Sequence, residues 1–310
     1  MRPWHTATGL AVLAALALAA CGPLTPGERA AEEGLSAQNG LSPNGLSQNG
    51  LSQNGLSQNG LSQNGLSQNG LSQNGLGSDF SKWFNQDVAT SDAVMRYLVR
   101  CAVPSGQTRT WTNPATGAGH TWPGDLGVAP GWAAGAAATA AEQQLISACL
   151  AAHVNAYGIS VPISVNGKTA TGDVIPHAKD ERAAYTVYEG AFFGNLFADE
   201  GVFVCQKHPA YTSAQSSARA CALDTTVIGP SAPCAPLQNV GECSAVCSAW
   251  SNINRMYGSC AWKGVSYKPL TTLLQPSHIY ACGDGTCQFT ESCGEGSSWD
   301  SCNSDCGSCL

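Results

Sequence analysis

The chain is short of charge, of long apolar runs and of catalytic signatures. Charged residues make up 11% of it, 14 Lys and Arg against 21 Asp and Glu, for a formal net charge of -7. So sparse a set of cations builds no basic stripe along a phosphate backbone or an anionic membrane surface, which excludes nucleic acid as an expected partner. The N-terminal apolar run, Leu10 to Ala20, has eleven residues, where a helix needs about 20 to cross a bilayer. There is no Gly-x-Ser-x-Gly elbow, no His-Glu-x-x-His, no Gly-x-x-x-x-Gly-Lys-Ser/Thr and no Gly-x-Gly-x-x-Gly. Serine hydrolase, zincin, nucleotide-binding and Rossmann readings therefore have no motif to rest on.

What is plentiful is cysteine, 15 in 310 residues. A cytosolic protein would have to keep them reduced or give them to metals, whereas an exported one oxidises them. The N-terminus favours export: Arg2 precedes the Leu- and Ala-rich run, and small residues follow it, the layout of an export signal over residues 1–20. Leu18-Ala19-Ala20-Cys21 resembles the lipobox of bacterial lipoproteins. That resemblance implies that Cys21 is lipidated, becomes the new N-terminus and holds the protein on a membrane. Stable anchoring takes more than one acyl chain. Gly22 stands where this family's inner-membrane retention signal has aspartate, which leans toward the outer membrane.

Beyond an anchor segment, residues 21–33, the chain becomes a five-residue repeat of Asn-Gly-Leu-Ser-Gln, with Asn-Gly-Leu starting at Asn39, Asn44, Asn49, Asn54, Asn59, Asn64, Asn69 and Asn74. Each unit sets one apolar side chain among turn formers, and glycine raises the entropy cost of ordering, so residues 34–78 are expected to form a flexible tether. Such a coil spans about 35–40 Å end to end, and about 150 Å when stretched. The period of five with a central leucine also resembles the pentapeptide-repeat solenoid. Its inward position, however, holds asparagine here, which would need a hydrogen-bond partner in every layer, and the stack would be short.

The body is expected over residues 79–275, as a disulfide-stabilised α+β domain with two main helices and antiparallel hairpins. Val94, Met95, Leu98, Val99 and Ala102 recur at helical spacing after a Ser91 cap, and Pro104 stops them. A second helix is predicted from Ala133 to Tyr157, ending at Gly158, with Leu145, Ile146, Cys149, Leu150 and Val154 on the face that meets the first. Gln107 to Thr112 and His120 to Trp122 read as a hairpin. Ile159 to Val165 followed by Asn166-Gly167 reads as the start of another, with Pro162 pointing to an edge strand. Tyr185 to Cys205 is the most aromatic segment and reads as sheet core. After Cys221 the chain is rich in Pro, Ser and Cys, with a short helix around Cys243 to Trp250, and its order is expected to come from bridges.

Setting Cys21 aside leaves Cys101, Cys149, Cys205, Cys221, Cys234, Cys243, Cys247 and Cys260 in the body and Cys282, Cys287, Cys293, Cys302, Cys306 and Cys309 in the tail, both even numbers. Each module can close its own bridges, at about 2–4 kcal/mol apiece. Cys101 with Cys149 is the preferred pair, joining the two helices, and Cys205 with Cys221 is next, although spacing alone fixes no connectivity. Zinc is the rival for Cys243-x3-Cys247 and Cys306-x2-Cys309. The tail, residues 276–310, opens on Cys282-Gly-Asp-Gly-Thr-Cys287 and resembles small cysteine-rich modules of secreted bacterial proteins, with an insertion from Gly294 to Ser301. The resemblance implies order by crosslinks and no defined activity. Asp284, Glu291 and Asp305 are hard oxygen donors there, which makes calcium the one cofactor candidate.

His120, His153, His177 and His208 stand singly. Asp180, Glu181, Glu189, Asp199 and Glu200 contain a candidate glycosidase pair. Trp111, Trp122, Trp132, Tyr185 and Tyr188 are candidates for a sugar-stacking face, although aromatics in strands are more often core. No residue is singled out as catalytic. Arg96 to Cys101 and Glu189 to Asn195 resemble segments of other secreted bacterial lipoproteins, which implies a shared body. The expected role is that of a lipid-anchored envelope or surface protein with binding or structural work, its partners the membrane and an envelope protein or glycan. The alternatives are a glycan-binding module and an extracellular hydrolase, the latter requiring two acids, or an acid and a histidine, to converge in a cleft.

Overall fold

The computed structural model describes residues 37–39, 70–71, 76–153, 161–178, 180–206, 237–275 and 301–309, with isolated positions from 282 to 295; for 37–39 and 161–162 it describes the backbone alone. The export signal, Cys21, the repeat units from 40 to 69, His208, Cys221, Cys234 and Asp284 lie outside the described residues, and with them the choice between coil and solenoid.

The described fold is α+β. A short strand, β1 (Ala37–Asn39), is followed by α1 (Ser78–Phe84), α2 (Val88–Ala102), the ribbon β2 (Thr108–Thr112) and β3 (Gly119–Pro123), α3 (Pro130–Ala133) and α4 (Ala140–Ala152). Then come β4 (Val161–Asn166), α5 (Glu181–Ala184), β5 (Val187–Asn195), β6 (Gly201–Gln206), β7 (Leu237–Glu242) and α6 (Cys243–Val246). The short strands β8 (Trp250–Ser251), β9 (Met256–Tyr257), β10 (Cys260–Trp262) and β11 (Val265–Tyr267) lead into β12 (Leu270–Leu274), and α7 (Asn303–Cys306) lies in the tail. The main sheet runs β1-β4-β12-β5-β6-β7. Its neighbours are antiparallel except for the parallel pair of β6 and β7. Among the described residues no helix is long and apolar enough to cross a membrane.

Strand periodicity divides the core into two layers. Phe192, Val202 and Val204 face α4, with α2 packed on α4 in the same large apolar cluster, while Ala191, Phe193, Phe203 and Cys205 face Tyr257 and Tyr267 on the other side. The aromatic segment is therefore sheet core, as expected, and the β2–β3 hairpin forms where predicted. The first helix starts a turn before Ser91. Asp87 is the N-cap, accepting from the Thr90 amide at 3.1 Å and the Thr90 hydroxyl at 2.7 Å, while Ser91 is buried within the helix.

The second helix is shorter than predicted. Its alanine-rich sequence reads as continuous, but Thr139 restarts the helix with a reciprocal capping box to Glu142. Glu142 Oε1 also accepts from the Trp132 amide at 2.9 Å, so one buried carboxylate closes α4 and pins the end of α3. Residues 154–160 lie outside the described residues. Cys101 and Cys149 are bonded, joining α2 to α4 as expected.

Asn166-Gly167 does not turn a second hairpin. The partner of β4 is β12, from the far end of the body, and β1 lies on its other side, so Pro162 is not on the edge. A Cβ on Gly167 would lie 2.5 Å from Leu270 Cδ2, so the glycine lets the chain pass close to β12.

Cys205 bonds Cys243, not Cys221. The parallel strand β7 runs beside β6 and ends at α6, which brings the Cys243 Cα within 4.8 Å of that of Cys205. The expected helix around Cys243 to Trp250 is reduced to the single turn of α6. A second bridge, Cys247–Cys260, packs against the first, with the Cys205 and Cys247 sulfurs 3.5 Å apart. The tail is closed by Cys282–Cys302, Cys287–Cys306 and Cys293–Cys309. Both zinc-spaced pairs thus have their sulfurs in disulfides to other partners. At the other end, Leu71 and Leu76 are part of the apolar core, so the packed body begins inside the repeat tract and not at residue 79.

Candidate functional site

On β4, Ile163 and Val165 enter the large apolar cluster, which leaves Ser164 and Asn166 on the opposite face. Both are buried and need internal partners. The loop after β4 returns over the strand and provides His177 and Glu181. His177 Nε2 and Asn166 Oδ1 are 2.5 Å apart, with the imidazole as donor because an amide oxygen only accepts. Asn166 Nδ2 donates to Ser164 Oγ at 3.0 Å, and Ser164 Oγ donates to Glu181 Oε1 at 2.7 Å. Glu181 Oε2 accepts from the Ala178 amide at 2.9 Å.

Two arginines fasten this loop to its neighbour. Arg182 Nη2 donates to the Ile253 carbonyl at 2.7 Å, and Arg255 Nη1 donates to the Arg182 and Tyr185 carbonyls at 2.7 and 3.0 Å. Burial pushes the His177 imidazole below its ordinary value, against the pull of the Glu181 carboxylate. Burial likewise raises the Asp125 carboxyl, with Arg100, 3.4 Å away, opposing and Glu181 reinforcing the rise.

The chemistry open to this arrangement is limited. Glu181 and His177 are brought together, but through two intervening side chains. Ser164 is 2% exposed and has its only proton directed at Glu181, so no substrate carbonyl can approach it as a nucleophile. The network is a positioning device that holds the loop on the sheet. Sequence reasoning missed Ser164 and Asn166, although their alternation with Ile163 and Val165 is a visible signal.

The other candidates are dispersed. Glu189 is buried on the sheet and accepts from Thr272 Oγ1 at 2.5 Å. Glu200 sits beside the Tyr267 hydroxyl, which burial, with help from that carboxylate, pushes up to about 12. Asp180 is exposed at the head of α5, and Asp199 lies in the β5–β6 turn with φ 57°. Glu181 and Glu189 are each committed to a hydroxyl donor on a different strand, Ser164 on β4 and Thr272 on β12.

His120 Nδ1 and Trp122 Nε1 both meet Asp92 Oδ1, at 2.9 and 3.0 Å, with His120 packed between Phe84 and Trp122. His153 is fully buried, its Nδ1 2.7 Å from the Cys149 carbonyl. Trp111, Trp122, Trp132 and Tyr185 are buried as well, so the five candidate aromatics form no exposed stacking row. In the tail, Asp305 accepts from the Gly283 and Gly285 amides at 2.6 and 3.3 Å, while Glu291 lies by the Cys287–Cys306 bridge. Asp305 thus holds a turn beside Cys282–Cys302 and Glu291 lies beside Cys287–Cys306, while Asp284, the third candidate calcium ligand, lies outside the described residues.

An open groove of about 580 Å³ lies between α1 and β2, lined by the hydroxyls of Ser78, Ser81, Thr110 and Thr112 and by Trp111. It is on a different part of the molecule from the buried network. A family model described as the GLTT repeat matches six copies over residues 40–67. No curated protein and no solved structure matches the chain.

Proposed function

We propose that the protein is a lipid-anchored envelope protein, attached through Cys21 and leaning to the outer membrane, whose disulfide-stapled body does binding or structural work. The observation that carries the reading is how the reactive side chains are used. His177, Glu181, Asp92 and His120 are taken up in hydrogen bonds within the protein, and Ser164 is sealed from solvent. A body of that kind is built to persist. Six bridges among the described cysteines support an oxidising compartment, in line with the export signal.

The test is to follow Cys21→Ser in cells fed a labelled fatty acid. The parent protein is expected to take up label and partition into detergent, and the variant to be released as a soluble, fully oxidised protein. An unlabelled parent, or a variant that stays with the membrane, would overturn the reading.

A further inference from the structure

The repeat tract runs into the body, and the body holds it specifically. Leu71 is 0% and Leu76 6% exposed. The Leu71 amide donates to the Trp132 carbonyl at 2.9 Å, and Arg109 Nε donates to the Leu71 carbonyl at 2.9 Å while its Nη2 donates to the Ala133 carbonyl at 2.7 Å. Trp111 Nε1 donates to the Leu76 carbonyl at 3.1 Å. Gly70 has φ 66°, and a Cβ there would stand 2.6 Å from both Gly135 Cα and the Trp132 carbonyl oxygen. The slot therefore requires glycine in the left-handed conformation followed by an apolar side chain, while main-chain groups supply the rest of the recognition.

That requirement is met many times over in this chain. The same Asn-Gly-Leu stands at Asn39, Asn44, Asn49, Asn54, Asn59 and Asn64, ahead of the docked Gly70-Leu71. We propose that the slot is a binding site for the Gly-Leu step of the repeat as such, and that upstream units of the same chain, Gly65-Leu66 first, occupy it in alternative registers. A unit tethered this close competes at an effective concentration on the order of millimolar. With Leu76 kept in place, a shift by one unit lengthens the connection between the two docked leucines by five residues. Loop-closure cost grows slowly with length, so the longer loop costs less than an empty leucine pocket. Because β1 holds Ala37–Asn39 on the sheet, each shift takes about 17 Å of stretched length from the segment between β1 and the slot.

The experiment uses the full chain in three forms: Leu71→Ala alone, serine at Leu41, Leu46, Leu51, Leu56, Leu61 and Leu66, and the two combined. Tm and amide hydrogen exchange at positions 66 and 71 are the readouts. In Leu71→Ala, protection is expected to appear at the Leu66 amide, with a fall in Tm less than half of that in the combined form. The upstream serines alone should leave Tm unchanged. Equal falls in Tm, with Leu66 unprotected, would show that the slot is fixed on Leu71 and overturn the proposal. Protection of Leu66 that depends on protein concentration and comes with a dimer mass would make a second copy the occupant, which overturns the same-chain form.

Discussion

The two faces of the central sheet are covered by different means. On one, α4 lies over Phe192, Val202 and Val204, and α2 packs behind α4, so that Leu98, Val99, Ile146 and Leu150 belong to one continuous apolar cluster with the sheet. On the other, Ala191, Phe193 and Phe203 meet a smaller cluster of Tyr257, Tyr267 and short strands held by Cys205–Cys243 and Cys247–Cys260. On the helical side burial does most of the covering, with one bridge, Cys101–Cys149, tying the two helices together. The Pro-, Ser- and Cys-rich segment after β6 has too few apolar residues for that, and crosslinks take over part of the task.

The comparison breaks first at Phe192. This ring is fully buried on the helical side, and Phe192→Ala should cost about 3–5 kcal/mol, read from the midpoint of urea unfolding. Replacing Cys205 and Cys243 together with serine should cost less, about 2–4 kcal/mol, and should speed hydrogen exchange in β10 and β11 more than in α4. Because Phe192 and the bridge act on opposite faces, their losses should add within about 0.5 kcal/mol. A strongly non-additive triple variant would mean that the two covers act as one.

What was legible in the sequence follows the same division. The helical face was readable: the spacing of Val94, Met95, Leu98 and Val99, the aromatic run and the Cys101–Cys149 pair depend on signals within one element or between two clear ones. The helix limits shifted because Asp87 and the Thr139–Glu142 box are local caps that outcompete a periodicity argument. The bridged face was not readable. Its partners come from far along the chain: β12 enters the middle of the sheet, and β7 carries Cys243 to Cys205 past the nearer Cys221. Ser164 and Asn166 look solvent-facing in an alternating strand, and only the returning loop, with His177 and Glu181, turns them into a buried network. Leu71 and Leu76 were hidden by the sameness of the repeat, since nothing in a unit tells which copy reaches the body.

Asn166 shares a sheet row with Thr271 and Ala191, which puts the polar network on the bridged face. Glu181→Gln sharpens the comparison there. It leaves one of the two donors, the Ser164 hydroxyl or the Ala178 amide, facing an NH2 group, and should cost about 1–3 kcal/mol. Exchange should rise at Ser164 and Asn166 while the amides of α4 stay protected. If α4 loosens equally, the network supports the whole fold and not one cover.

The smallest effect expected is the dependence on pH carried by His177. Its imidazole is held below the ordinary value of 6.5, by burial first, so the unfolded chain takes up a proton more readily than the folded one. Stability from this residue is therefore complete above the unfolded value, falls as pH drops through it, and levels off below the folded value. His177→Gln retains a donor for Asn166 but does not titrate. As pH falls through the ordinary imidazole value of 6.5 toward the lowered folded one, the parent protein should lose stability faster than the variant. Because the ring is half-buried, the divergence should be modest and should appear in exchange on β4 before global unfolding. Parallel curves for the two proteins would mean that water reaches His177 freely in the folded state; the bridged face would then have no acid-sensitive seam, and its weakness relative to the helical face would lie in the disulfides alone.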